Sequence, residues 1–214
     1  MQDLNKKEAK ILKQLNTPEK IQDFLNKLPI NFEEKGFTFL SPKNVLKFKT
    51  AHCAEGAVFA AACFKLNGEK PLIVDMIAED HDENHLICVF KRHGKWGAIG
   101  KTNHAVLRYR EPVYKNIREL VMSFFHEYFD DKGRKNLRSY SLPIDLSKFD
   151  SMNWVGSDSD LWFINDHLDE VKHFSILTKK QLAGLRKADK IEIEAGKIVE
   201  WKPKKQKKAR KNKK

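Results

Sequence analysis

Thr50-Ala51-His52-Cys53-Ala54-Glu55-Gly56-Ala57-Val58-Phe59-Ala60-Ala61-Ala62-Cys63-Phe64-Lys65-Leu66-Asn67-Gly68 is the stretch on which the fold turns. Five alanines and a glycine between Ala54 and Leu66, with almost no charge, predict a helix buried on most sides. Its small side chains let other backbone come close. Asn67-Gly68 is a C-terminal stop, and Cys53 stands at the front of the helix.

Downstream, the period of the apolar residues changes from helical to alternating. Pro71 to Ile77 reads as a strand, the acidic run Glu79-Asp80-His81-Asp82-Glu83-Asn84 as a connection, and His85 to Phe90 as a second strand. His93-Gly94-Lys95 turns the chain into a short third strand, Trp96 to Gly100. A buried helix followed by an antiparallel meander makes the fold class α+β.

Upstream, Thr17-Pro18-Glu19-Lys20 opens an amphipathic helix carrying Ile21, Phe24, Leu25 and Leu28, and Ile11, Leu12 and Leu15 mark another before it. Asn31 to Lys49 reads as extended or irregular chain. Beyond the meander, Val113 to Phe129 is expected to be an amphipathic helix and Leu137 to Asp150 irregular. Leu161 to Val171 and Thr178 to Ala188 are expected to be helical, with Ile191–Ile193 and Ile198-Val199 as short strands or a frayed helix. The expected organisation is N-terminal helices over residues 1–40, a core over 41–130, a covering segment of the same domain over 131–201 and a basic tail over 202–214.

Composition narrows the function classes. Of the formal net charge of +12, nine positive charges fall between Lys202 and Lys214, where there is no acid, so the body is only mildly basic. The tail is expected to be disordered and to meet nucleic acid or another polyanion nonspecifically, if it binds at all. No RNP, KH, zinc-finger or helix-turn-helix signature accompanies it. Three cysteines, odd in number and without a CxxC pair, argue against a disulfide framework and a zinc ribbon. With no apolar leader or membrane-length run, the expectation is a cytoplasmic protein without a membrane partner.

A nucleophilic cysteine needs a stabilised thiolate, and a helix N-terminus supplies free N–H groups and partial positive charge for both the thiolate and an oxyanion. A histidine completes the activation by taking the proton and returning it to a leaving group. His85, at the entrance of the central strand, is placed to be that base if the strand runs past the helix start. Cys63 and Cys88 read as small core residues, and His52 as a wall of the pocket. His81, Asp82, Glu83 and His85 are metal ligands by type but lack ligand spacing, so no metal or other cofactor is expected. Arg108, Arg110, Lys115 and Arg118 read as scattered surface charge.

Cys53 at the head of an Ala-rich helix, the turn Asn67-Gly68, the strand Leu72-Ile73-Val74, His85 opening the next strand and Trp96-Gly97-Ala98-Ile99 the third together resemble the transglutaminase-like core of the papain-like fold. The resemblance, which extends to a bacterial branch near that superfamily, spans roughly residues 40 to 130. It implies Cys53 as nucleophile and His85 as base. The third member of the triad, an Asp, would fall at or near Gly100, and no acid occurs between Trp96 and Arg110. Asn103 is the candidate to orient the imidazole instead. The expected activity is hydrolysis or acyl transfer on an amide or thioester of a small molecule or peptide, through an acyl-enzyme. The alternative is a catalytically inactive binding protein whose basic tail contacts nucleic acid or another polyanion.

Overall fold

In the computed structural model, which describes residues 3–80 and 82–203, the Ala-rich stretch forms helix α4 (Cys53–Leu66), packed against an antiparallel sheet. Strands β1 (Leu72–Ile77), β2 (His85–Arg92) and β3 (Lys95–Ile99) are the expected meander. Cys88 pairs with Ile73 on one side and Ile99 on the other. Alternation along β2 divides the core in two. Leu86, Cys88 and Phe90 join α4, and Ile87 and Val89 face the opposite layer.

Around α4 lie α1 (Lys6–Gln14), α2 (Pro18–Asn26) and α3 (Pro42–Phe48). The third is not the irregular chain expected of Asn31 to Lys49. Ser41 Oγ caps the Asn44 N–H at 3.1 Å and Pro42 occupies the first helical position, so seven residues are enough.

The largest difference from the sequence reading lies at Val113–Phe129. Its first residues belong to strand β4 (Arg110–Tyr114), which pairs with the outer side of β3, and only Ile117–Met122 forms helix α5. Val113 is 62% exposed on this edge strand, where Pro112 removes no needed donor. Asn116 caps α5 through the Glu119 N–H, and irregular turns follow Ser123. Phe124, Phe125 and Tyr128 still bury against Val74, Met76 and Ile87 on the second face.

The C-terminal third does more than cover. Its strands β5 (Ser139–Ser141) and β6 (Ile144–Asp145), from a segment expected to be irregular, both pair with β1. After helix α6 (Trp162–Glu170), strand β7 (His173–Ser175) pairs with β5, giving the order β4-β3-β2-β1-β5-β7 with β6 also on β1. Short helices α7 (Lys179–Ala183) and α8 (Lys190–Gly196) finish the fold. Ile191 and Ile193 are therefore helical, and Val199 makes only a bridge to His104. No described helix is long and apolar enough to cross a membrane. The basic tail from residue 204 onward lies outside the described residues, as does His81.

Candidate active site

Cys53 is the first residue of α4 and His52 its N-cap. The spacing His52-x-x-Glu55 is a capping box. The Glu55 carboxylate accepts the His52 N–H at 2.9 Å, and His52 Nδ1 accepts the Ala54 N–H at 3.2 Å. With the Gly56 N–H directed to the His52 carbonyl, no described group accepts from the Cys53 N–H. It remains a donor at the mouth of the helix.

Glu55 is fully buried and does more than cap. Its oxygens also accept from Asn31 Nδ2 at 3.0 and 3.1 Å, Thr38 Oγ1 at 2.8 Å and the Leu40 N–H at 3.0 Å. Segment 31–40 is thereby fastened beside the helix start. Glu55 Oε1 lies 3.3 Å from His52 Nε2, which is also 3.0 Å from the Thr38 carbonyl. Sequence reading made His52 a wall and left Glu55 unassigned. In the structure they form an acid–imidazole pair next to the thiol.

His85 opens β2 opposite Met76. It is 6% exposed, and its Nε2 has no hydrogen-bond partner among the described residues. Cys53 Sγ lies 4.0 Å from the carbonyl of the neighbouring Asn84. Burial alone would push the Cys53 thiol up. Hydrogen bonding to His52 and His85, together with their charge, reverses this and brings it down to about 5. For His52, burial opposes the charged form, but hydrogen bonding to Cys53 and the Glu55 charge raise it to about 9. At neutral pH these values favour a thiolate held against imidazolium. The Ala54 N–H contact describes the other state, a neutral His52 with a lone pair on Nδ1. The ring can accept from Ala54 or donate from that nitrogen to sulfur, not both.

The position where the resemblance places an acid is closed to one. A Cβ at Gly100 would stand 2.9 Å from the Leu107 carbonyl oxygen and 3.6 Å from His85 Nε2. Gly100 is instead bracketed by Gln22, whose Nε2 donates to its carbonyl at 2.9 Å and whose Oε1 accepts its N–H at 3.1 Å. Asn103 does not take up the orienting role. Its amide donates to the Trp201 carbonyl at 3.0 Å and accepts the Trp201 N–H at 2.8 Å, which pins the end of the described chain.

His52, Cys53, His85, Asp75, Asn103 and Trp162 line a cleft of about 1070 Å³. Asp75 comes from β1. Burial pushes its carboxyl up, against the opposing pull of His173 Nε2 at 3.1 Å. Burial likewise raises Cys63 and Cys88 well above an ordinary thiol, leaving them inert. The arginines are occupied by the fold. Arg108 pairs with Glu200, Arg110 with Glu127 at 2.6 Å, and Arg118 donates to the Ile176 carbonyl. Among the described residues no cluster of His, Cys, Asp and Glu has the arrangement to hold a metal.

Comparison of the chain with known proteins finds no family model that matches it and no curated protein similar to it in sequence.

Proposed function

We propose that this chain is a cysteine-dependent hydrolase or acyl transferase of the transglutaminase-like, papain-like kind, acting on an amide or thioester through Cys53. The observation that carries the reading is one thiol at the mouth of a buried helix, held low by two imidazoles in the wall of a large cleft. Helix dipole, free N–H and imidazolium all favour the charge that acyl transfer develops there.

The two histidines divide the work. His52 has Nε2 committed to the Thr38 carbonyl, so in its protonated state its part is to hold the thiolate from Nδ1, in place of the Ala54 N–H contact. His85 has no partner for Nε2 among the described residues and is the group that can exchange a proton with substrate. The thiolate adds to the carbonyl carbon, and the tetrahedral oxyanion forms near the Cys53 N–H. The C–N or C–S bond then breaks as protonated His85 gives its proton to the leaving amine or thiolate, which leaves His85 neutral for the second step. Water or an amine, deprotonated by His85, attacks the thioester and expels the Cys53 thiolate.

Gly100 favours the second reading, an inactive copy of the fold used for binding, since no carboxylate can stand beside His85 there. Incubation with p-nitrophenyl acetate separates the two. The enzyme reading expects a burst of nitrophenolate, an acetyl adduct on Cys53 and turnover abolished in Cys53→Ala. It is withdrawn if acetylation is spread over lysines and survives that substitution.

A further inference from the structure

The cleft around Cys53 reverses the charge of the chain. The sequence carries 41 Lys and Arg against 29 Asp and Glu, yet eight carboxylates and only three Lys or Arg side chains line this cleft. Asp82 and Glu83 come from the β1–β2 connection, Asp131 from the turn beyond α5, and Asp169 from α6. None of these four is ion-paired with a described residue. Asp82 accepts from the Asn136 amide, and Asp169 from the Asn165 amide at 3.4 Å.

Two further features indicate that the cleft is built for a ligand. Large aromatic surface lies open in its wall: Phe37 is 86% exposed, and Trp162, edge-on to Phe39, is 43% exposed. Trp162, Asn165 and Asp169 stand three and four residues apart on α6, so one helix face presents an indole, an amide and a carboxylate together. Beside the nucleophile, the buried Nε2 of His85 has no partner among the described residues. Aromatic faces with carboxylates suit cations that carry an apolar stem, which are the side chains of lysine and arginine. The cleft of about 1070 Å³ also reaches the upper end of the size usual for a single small ligand.

We infer that the substrate of Cys53 is a basic peptide segment, with lysine or arginine side chains flanking the carbonyl that is attacked. This rests on the reading of Cys53 as the nucleophile and adds the substrate class. The acids also concentrate such a substrate from solution, because a cleft lined by one sign of charge focuses its field.

Charge-selective labelling of the full chain tests this. The probes are a trimethylammonium-bearing methanethiosulfonate, its sulfonate-bearing counterpart and neutral iodoacetamide, each rate divided by that of a small free thiol. The His52 imidazolium beside the sulfur favours the anionic probe, so a preference for the cation must come from the carboxylates. The expected cation-to-anion ratio is about tenfold at low salt, falling toward one at about 1 M, where screening acts within roughly 3 Å. It should also fall severalfold in a variant combining Asp82→Asn, Glu83→Gln, Asp131→Asn and Asp169→Asn. A tetralysine peptide should protect Cys53 from iodoacetamide and a simple diaminoalkane should not. A ratio of one or below, with iodoacetamide still fast at mildly acidic pH, overturns the basic-substrate inference and leaves the nucleophile standing. Equal protection by the diamine overturns the peptide part. Slow iodoacetamide labelling overturns the nucleophile reading itself.

Discussion

Alkylation of Cys53 across pH tests the thiolate argument directly. The two imidazoles bring this thiol from 9.0 to about 5 against the upward push of burial. At about pH 6 such a thiol is ~90% ionised, and an ordinary one only ~0.1%, a gain of ~900-fold in thiolate. A less basic thiolate is also less nucleophilic, with a Brønsted slope of about 0.4–0.5 that takes back ~60-fold over this range. The net expectation is iodoacetamide labelling ~10- to 20-fold faster than an ordinary thiol at about pH 6, inflecting near 5 and flat above about pH 6. The assay follows the Cys53 peptide by mass, with the urea-unfolded chain as reference. Removing one of these imidazoles should move the inflection upward by about one pH unit or more, by the size of a single close partner. His85→Ala does this at the strand, and His52→Asn does it at the cap while keeping a good capping residue. Cys63 and Cys88 should stay unmodified until the chain unfolds. A folded parent that inflects at about pH 8 or higher, with no response to either histidine, would refute both the ion pair and the catalysis built on it.

Two further outcomes follow from the walls of the site. Gly100→Asp, which supplies the acid the resemblance leads one to expect, should lower stability by about 1–3 kcal/mol in urea melts without speeding turnover. The reason is that its Cβ meets the Leu107 carbonyl oxygen at 2.9 Å. Lys101, 1% exposed, donates to the Leu28 carbonyl at 2.6 Å and is lowered by burial from 10.5 to about 8. Its folded value lies below its unfolded one, so between about pH 8 and 10.5 the unfolded chain holds more protons and stability rises with pH. Thermal melts of the parent should show that rise relative to Lys101→Met, and parallel curves would show that burial does not lower this amine.

The helix and meander were legible because each is a local pattern. The nearly uncharged run from Ala54 to Leu66 has nowhere to go but inside, and the unbroken apolar run Leu86–Phe90 requires a strand with both faces covered. Cys53 at the helix start was legible for the same reason, and so were the buried Cys63 and Cys88. The spacing His52-x-x-Glu55 is local too, but the sequence reading assigned it no role, and the capping box emerged with the structure. That it would also hold an acid against an imidazole was not legible, since Thr38, Leu40 and Asn31 reach Glu55 only once segment 31–40 folds back.

What the tertiary structure decided is everything that depends on partners distant in sequence. The helical period read from Val113 onward was overridden at its first residues by the free edge of β3, which drew Val113 and Tyr114, both good strand formers, into β4. Residues 139–145 carry little strand signal, yet the unpaired groups of β1 recruit them. Asn103 has the chemistry to orient an imidazole, but Trp201, 98 residues away, takes both ends of its amide. Gly100 is bare because the Leu107 carbonyl oxygen stands where a Cβ would need to be. The sequence by itself determined which groups carry chemistry, since a thiol, an imidazole and a carboxylate are fixed by residue type and helix position by local pattern. Which of them meet was set by loop closure and packing, because the free energy of those contacts exists only in the assembled fold.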